Sequence, residues 1–337
     1  MILLTGANGL IGSFIAKKFL AEGISVRAIR RAGSDLSLVQ NVESEIEWVE
    51  GDVLDVSSLE IALQGCTQVV HAAAMVSFSP KEKAKLYQVN VEGTANVVNA
   101  CLHAGIEKLA YISSVAALGR PAQQSTNPDR PTVVNENQKW EDSPLNSHYA
   151  ISKYQAELEV WRGISEGLPA IIVNPSVVIG EGDWHRSSTA LFKYVYDEKP
   201  FYTNGTLNYV DVLDVAEAIY QLLQSDIQDE RFIVSGGKTS YKHFFELIAQ
   251  YMGKNAPRYG VTPLLAEVAW RWEAFKAVFT QKQPLVTKET ARTSQLHFFY
   301  PSTKLEQSLN FQFHSLEASV QRIAEQLLKV EQEPKTV

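Results

Sequence analysis

Tyr149 and Lys153 stand four residues apart in a stretch, about 149–166, patterned as a helix. At that spacing two side chains share one helix face, and the ammonium is within reach of the phenol. A free tyrosine, with a pKa near ~10, is too weak a base at neutral pH; a neighbouring cation stabilises the phenolate and moves it toward general acid/base work. A Tyr and a Lys at this spacing also occur by chance in many helices, so a third group matters. Ser113 and Ser114 directly follow an apolar strand, Lys108 to Ile112. A hydroxyl there can hydrogen-bond a carbonyl or alcohol oxygen beside the tyrosine.

The start of the chain suggests what such a site would work with. An apolar strand, Ile2 to Leu4, runs into Thr5-Gly6-Ala7-Asn8-Gly9-Leu10-Ile11-Gly12, then into a helix pattern, Phe14-Ile15 to Phe19-Leu20, and a second strand, Ser25 to Ile29. In a β-α-β unit of this kind, glycines permit a tight turn and close approach of a pyrophosphate, and the helix N-terminus offers free N–H groups and a positive dipole end. Gly6, Asn8, Gly9, Leu10, Ile11 and Gly12 are therefore cofactor candidates. Arg30-Arg31 follows the second strand, where a carboxylate would accept hydrogen bonds from the adenosine ribose of NAD. Either the arginines attract the 2′-phosphate of NADP, or they are solvated at a strand end. NADP(H) is the expected cofactor, with NAD(H) possible.

Further elements alternate as a parallel sheet demands. Ile46 to Glu50 is a third strand ending at Gly51-Asp52-Val53, and Gln68 to His71 is a fourth ending at Ala72-Ala73-Ala74. A helix from about Lys85 to Ala104 precedes the fifth, and the helix bearing Tyr149 leads into Ala170 to Val173. Ligands bind outside the carboxyl ends of such strands. Asp52 and Val53 are placed for the adenine, and Ala72, Ala73 and Ala74 let a cofactor pass close to the backbone. His71 reads as a sheet-end histidine with a structural hydrogen bond. After residue 175 segments rich in Gly, Pro, Trp and Tyr break the alternation, while Asn208 to Leu223 and Arg231 to Val234 again read as helix and strand of the main sheet. The expected fold is α/β: a Rossmann doubly wound parallel sheet with a smaller, discontinuous C-terminal substrate lobe. The sheet domain spans 1–174, joined by about 208–234; the lobe comprises 175–207 and 235–330. The tail after about Val330 reads as frayed.

At 337 residues the chain exceeds what one core usually holds, in keeping with two lobes. A net charge of −7 argues against nucleic acid as a main partner, since phosphate neutralisation needs a basic face. Cys66 and Cys101 lie far apart with no ligand spacing, so neither a disulfide frame nor a metal site is expected. No charged leader precedes the first strand and no apolar run reaches membrane-spanning length, which makes the cytoplasm the default compartment.

Thr5-Gly6-x-x-Gly9-x-x-Gly12, Gly51-Asp52-Val53, His71-Ala72-Ala73-Ala74, Asn90-Val91-Glu92-Gly93-Thr94, Ser113-Ser114, Tyr149-x-x-x-Lys153 and Asn174-Pro175-Ser176-Val177-Val178 occur in the order and spacing of the extended short-chain dehydrogenase/reductases. The superfamily includes the NAD-dependent epimerases and dehydratases, and the resemblance covers nearly the whole chain. It implies hydride exchange with nicotinamide C4, Tyr149 as acid/base, Lys153 holding the nicotinamide ribose and tuning the tyrosine, and Ser114 orienting the substrate. Ser114 is chosen over Ser113 because it lies five residues before Gly119, where the family's catalytic Ser or Thr stands. Tyr149, Lys153, Pro175 and Val178 join the cofactor contacts. Asn90 either supports the strand ends near the cofactor or caps a helix. The resemblance also implies a homodimer through the helix bearing Tyr149 and the long helix before the fifth strand.

Nucleotide-sugar enzymes of this superfamily grip a diphosphate with arginines where this chain has Leu207 and Val173, and without them the diphosphate loses its bidentate partners. Val26-Arg27-Ala28-x-x-Arg31, Asn174 to Gly180 and Asn208-Tyr209-Val210-Asp211-Val212 look instead like the dihydroflavonol-reductase, cinnamoyl-reductase and 3β-hydroxysteroid-dehydrogenase side. The expected activity is NADP(H)-dependent reduction of an aldehyde or ketone of a small apolar molecule, or oxidation of the alcohol. Two alternatives stand beside it: a nucleotide-sugar epimerase or dehydratase holding NAD tightly, with Arg186 or Arg292 as diphosphate ligand, and a non-catalytic NADP sensor or scaffold. Trp184, His185, Tyr202 and Trp270-Arg271-Trp272 line the pocket or pack within the lobe. Pro263 to Thr280, apolar at helical intervals, covers the pocket, packs in the lobe or touches a membrane surface.

Overall fold

The computed structural model describes residues 1–121, 124–125, 127, 129–143, 145–184, 188–262 and 296–332. In chain order the strands are β1 (Ile2–Thr5), β2 (Val26–Arg30), β3 (Glu47–Glu50), β4 (Gln68–His71), β5 (Lys108–Ile112), β6 (Thr132–Val133) and β7 (Ala170–Pro175). They continue with β8 (Val177–Ile179), β9 (Phe201–Thr203), β10 (Thr206–Asp211), β11 (Glu230–Val234), β12 (Gly237–Ser240), β13 (Tyr259–Val261) and β14 (Phe298–Phe299). The helices are α1 (Leu10–Ala21), α2 (Val56–Leu63), α3 (Lys83–Tyr87), α4 (Gly93–Ala104), α5 (His148–Ser165), α6 (Thr189–Tyr196) and α7 (Val212–Gln224). After these come α8 (Tyr241–Met252), α9 (Thr303–Leu309) and α10 (Leu316–Gln332).

Continuous apolar runs such as Leu109 to Ile112 and Ala170 to Val173 are buried on both sides, as a strand covered by helices on each face must be. They belong to a seven-stranded parallel sheet of order β11-β7-β5-β4-β1-β2-β3. The winding direction reverses between β1 and β4, and the crevice at their carboxyl ends is where this architecture takes a ligand. Phe14, Ile15 and Phe19 of α1 pack with Val215, Ile219 and Leu222 of α7 on one face. Leu59 and Leu63 of α2, Val97 and Cys101 of α4, and Ala156 and Val160 of α5 cover the other. Each fully buried side chain of this size contributes about 1.5–3 kcal/mol.

Two local features set the geometry of the crevice. Ser147 Oγ accepts from the Ala150 N–H and starts α5 at His148, so Tyr149 sits in the first turn and Lys153 one turn on. The helix expected over 85–104 is interrupted: Gln88–Glu92 forms a wide π turn between α3 and α4, a feature frequent at functional sites.

Beyond β7 the chain builds a second lobe. β10 pairs with β8 in parallel and with β12 antiparallel, and α6, α8 and α10 pack on Ile179, Phe192, Leu207, Phe244, Ile248, Val320 and Ile323. The expectation that 208–223 is one helix of the main sheet is corrected here. Asp211 Oδ1 accepts from the Leu213 N–H, so the helix starts only at Val212, and the residues before it form β10 of the small sheet. α7 and β11 do return to the main sheet. The helix α10 also runs two residues past Val330, where the tail was expected to fray. His185, Arg186, Trp270-Arg271-Trp272, Arg292 and the segment 263–280 lie outside the described residues. Among the described residues no helix is long and apolar enough to cross a membrane, and no His, Cys, Asp and Glu cluster could hold a metal ion.

Candidate active site

Gly6 adopts φ +72°, and a Cβ there would lie 2.7 Å from the Ala73 nitrogen. A Cβ on Gly12 would meet the Gly6 carbonyl oxygen at 2.1 Å, so strand, turn and helix close on one another only without side chains at these positions. Gly9 differs: its nearest obstacle is the Gly6 oxygen at 3.4 Å, and it caps α1 with no side-chain hydrogen bond and no acidic residue in the first turn. Asn8 lies in the turn before it, and Leu10 and Ile11 open the helix. Free N–H groups, a positive dipole end and an open face at Gly9 fit a dinucleotide pyrophosphate.

Ala72 and Ala73 donate from their backbone N–H groups to Thr5 O at 3.2 Å and Thr5 Oγ1 at 3.1 Å, which holds the end of β4, and Ala74 after it, against the glycine turn. The two arginines part company. Arg30 lies over the Trp48 ring, its guanidinium carbon 5.3 Å from the centroid, while Arg31 is 68% exposed with its Nε 4.0 Å from Asp52 Oδ2. Asp52 Oδ1 accepts from the Leu54 N–H at 3.0 Å. Val53 is buried under Gly93, and its carbonyl accepts from Asn96. Pro175 ends β7, and Val178 faces Val210 in the smaller sheet, so the two straddle the seam between lobes.

The two serines after β5 have different partners. Ser113 Oγ donates to the buried Glu157 carboxylate at 2.8 Å, whereas Ser114 Oγ accepts from the Ala116 N–H at 3.2 Å and lies near the Tyr149 phenol. Burial pushes the Tyr149 phenol above its usual pKa, and the Ser114 hydroxyl offsets part of that rise. The Lys153 ammonium does not turn to the phenol. It donates to Ile112 O at 2.7 Å and Tyr111 Oη at 3.0 Å and sits 4.6 Å from the Tyr111 ring centroid. Burial lowers its pKa to about 7 against the stabilising charge of Glu157. Sequence spacing puts Tyr149 and Lys153 on one helix face; buried acceptors on β5 decide where the ammonium points.

Asn90 sits inside the π turn, away from any helix start. Its Nδ2 donates to Met75 O at 3.0 Å and Ser152 Oγ at 3.0 Å, and its Oδ1 accepts from the Met75 N–H at 2.7 Å, so it clamps the segment after β4 to α5. The helix-cap alternative is thereby excluded. His71 is buried with Nδ1 2.7 Å from Thr5 Oγ1 and Nε2 3.0 Å from Thr94 Oγ1. Burial, aided by the Lys153 charge, pushes its pKa down to about 3 and keeps it neutral. Trp184 packs in the second-lobe core 5.2 Å from the Tyr196 ring centroid, and Tyr202 packs on the same core.

Two residues of the site escaped the sequence reading. Glu157 holds Ser113, Asn174 Nδ2 at 2.9 Å and Arg231 Nη1 at 3.1 Å, and Asn174 in turn donates to Ser114 O. Its signal was available: Tyr149, Lys153 and Glu157 recur every four residues, on one stripe of α5. Phe78, 43% exposed, meets the Tyr149 ring edge-on at 5.9 Å, and Val76 beside it is 63% exposed. An apolar run leaving a sheet end was the clue.

Comparison with known proteins agrees with this geometry. The structure described as gox2253 superposes with a TM-score of 0.81 at 31% identity, covering 99% of each chain. The putative dihydroflavonol 4-reductase of Synechocystis sp. is 30% identical over 329 residues, 94% of this chain and 91% of that protein. Cinnamoyl-CoA reductase 1 of Oryza sativa subsp. japonica is 30% identical over 276 residues, 78% of each. Bordetella bronchiseptica WbmH in complex with NAD+, at 20% identity, TM-score 0.72 and 95% coverage of each chain, shares the fold. With the model of the NAD dependent epimerase/dehydratase family matching residues 2–235, the chain belongs to that family, as an NAD(P)-dependent enzyme of the extended short-chain dehydrogenase/reductase type acting on carbonyl or hydroxyl groups.

Proposed function

We propose that the protein is an NADP(H)-dependent reductase of an aldehyde or ketone on a small apolar molecule, working equally as the alcohol dehydrogenase in reverse. One observation carries this reading: the Tyr149 ring, near Ser114 at the open end of β5, is met edge-on by the exposed apolar side chain of Phe78. A lip of that kind suits an apolar substrate. The positions where a diphosphate would meet arginines are Leu207, buried in the second-lobe core, and Val173, buried in β7.

The glycine turn and α1 hold the pyrophosphate, Arg31 beside Asp52 takes the 2′-phosphate, and Lys153 with Tyr149 holds the nicotinamide end. When bound, the nicotinamide supplies or accepts the hydride. In the reductive direction Ser114 donates a hydrogen bond to the substrate oxygen, Tyr149 gives that oxygen its proton, and Lys153 stabilises the negative charge that develops. A phenol with its pKa raised by burial is protonated at neutral pH and so stands ready as the acid. The same reading includes a homodimer through α4 and α5, supported by the 46% exposure of Leu158 on α5, and a reducing cytoplasm, with which the unpaired thiols Cys66 and Cys101 are compatible.

Titration of the purified protein with NADPH, NADH, NADP and NAD, followed by tryptophan fluorescence, tests the reading. Exchangeable binding that favours NADPH, with turnover in an aldehyde and ketone panel, is expected. NAD that co-purifies and resists exchange would overturn it in favour of an epimerase or dehydratase.

A further inference from the structure

Lys153 is 1% exposed, and its ammonium carries three N–H donors. Two have partners in β5, Tyr111 Oη and Ile112 O. Tyr111 Oη accepts from the ammonium at 3.0 Å, so one of its lone pairs faces Lys153. A row of groups leads from there to the glycine turn: the His71 ring lies 5.6 Å from that of Tyr111, and Thr94 commits its own proton to Asn90 O at 2.6 Å. His71 completes the row: Nε2–H donates to Thr94 Oγ1, Nδ1 accepts from the Thr5 hydroxyl, and Thr5 Oγ1 accepts from the Ala73 N–H. One arrangement of protons satisfies both threonine hydroxyls and both ring nitrogens from the glycine turn to Thr94.

We infer that Tyr111 is a positioning residue for Lys153: together with Ile112 O it engages two of the three N–H groups, holds the ammonium form, and leaves a single N–H for the ligands of the cleft. The use of that third N–H rests on the reductase reading; the anchoring is a property of the cofactor-free protein. The groups facing the ammonium are Tyr111 and Ile112 from β5, neutral His71 from β4, and Glu157 from α5. Among these Glu157 supplies the opposite charge, and Tyr111 supplies an oriented dipole.

The test is an NMR titration of ¹³Cε-labelled lysine in the cofactor-free protein, with the Lys153 signal assigned by its loss in Lys153→Arg. Tyr111→Phe keeps the ring beneath the ammonium and removes the hydroxyl. Its Lys153 midpoint should fall by about one pH unit, the equivalent of a tenfold loss of proton affinity from one charge-assisted hydrogen bond. NADPH should bind about tenfold more weakly at pH 8 and nearly as well as wild type at pH 6. 3-Fluorotyrosine at position 111, which keeps the hydroxyl in place and weakens its oxygen as an acceptor, should move the midpoint the same way by less, and serves where Tyr111→Phe fails to fold. An unmoved midpoint in a folded variant, with only a lower melting temperature, overturns the inference. The reductase reading fails separately: Lys153→Met with undiminished NADPH affinity would refute it and leave the NMR result standing.

Discussion

At Tyr149 the decisive quantity is which form of the phenol the protein holds. Burial keeps the proton on and Ser114 moderates this, so Tyr149→Phe removes a donor without altering charge at neutral pH. Its kcat for carbonyl reduction should fall by about 10²–10⁴-fold, as loss of a general acid does, while the NADPH dissociation constant stays within about threefold in fluorescence titration. His71 gives a stability prediction. Its folded pKa of about 3 lies below the unfolded value of about 6.5, so the unfolded chain binds the extra proton in that window. Stability from this group is complete above pH 6.5 and is lost as pH falls toward 3. At about 1.4 kcal/mol per pKa unit the loss amounts to several kcal/mol. Urea unfolding from pH 7 to pH 4 should therefore show a steep decline that His71→Asn flattens. The structural role of His71 was legible from its place at a sheet end, but Thr5 and Thr94 come 66 residues before and 23 after it, and no local pattern names such partners.

The glycine turn separates two requirements that a motif states as one. Gly12 is needed for folding, since a methyl group would strike Gly6 O at 2.1 Å. Gly9→Ala has room at 3.4 Å and an extended backbone at φ −88°, so it should fold with a loss within about 1 kcal/mol. The methyl would occupy the open face of the turn, and NADPH affinity should fall at least about tenfold by isothermal titration calorimetry, whereas Gly12→Ala should fail to give folded protein. The strands of the sheet were legible to within one or two residues because buried parallel strands are unbroken apolar runs. What was not legible follows equally from physics. The π turn at 88–92 leaves the apolar periodicity of a helix almost unchanged, and β10 was read as helix because its start carries no breaker before the Asp211 cap.

Across the whole molecule, one ion pair network joins the last described helix to the seam between lobes. Arg322 of α10 donates to Asp211 Oδ1 at 2.6 Å and pairs with Glu181 in the loop after β8; Asp211 is 1% exposed and caps α7. Arg322→Met would leave that carboxylate buried without its cation, and urea denaturation should show a loss of about 3 kcal/mol. On the proposed reading, in which the second lobe takes the substrate, cofactor binding at the glycine turn should be weakened far less than substrate binding. Alternation foretold the parallel sheet, but nothing in it announced this tie, because its members lie 111 and 141 residues apart. The tie also imposes an order of assembly during synthesis. By the time residue 234 has left the ribosome, all seven strands of the large sheet have been made, yet the arginine that pairs with Asp211 is 111 residues beyond it and still to come. A nascent chain can thus acquire its large sheet first, and the second lobe locks only when translation is nearly over.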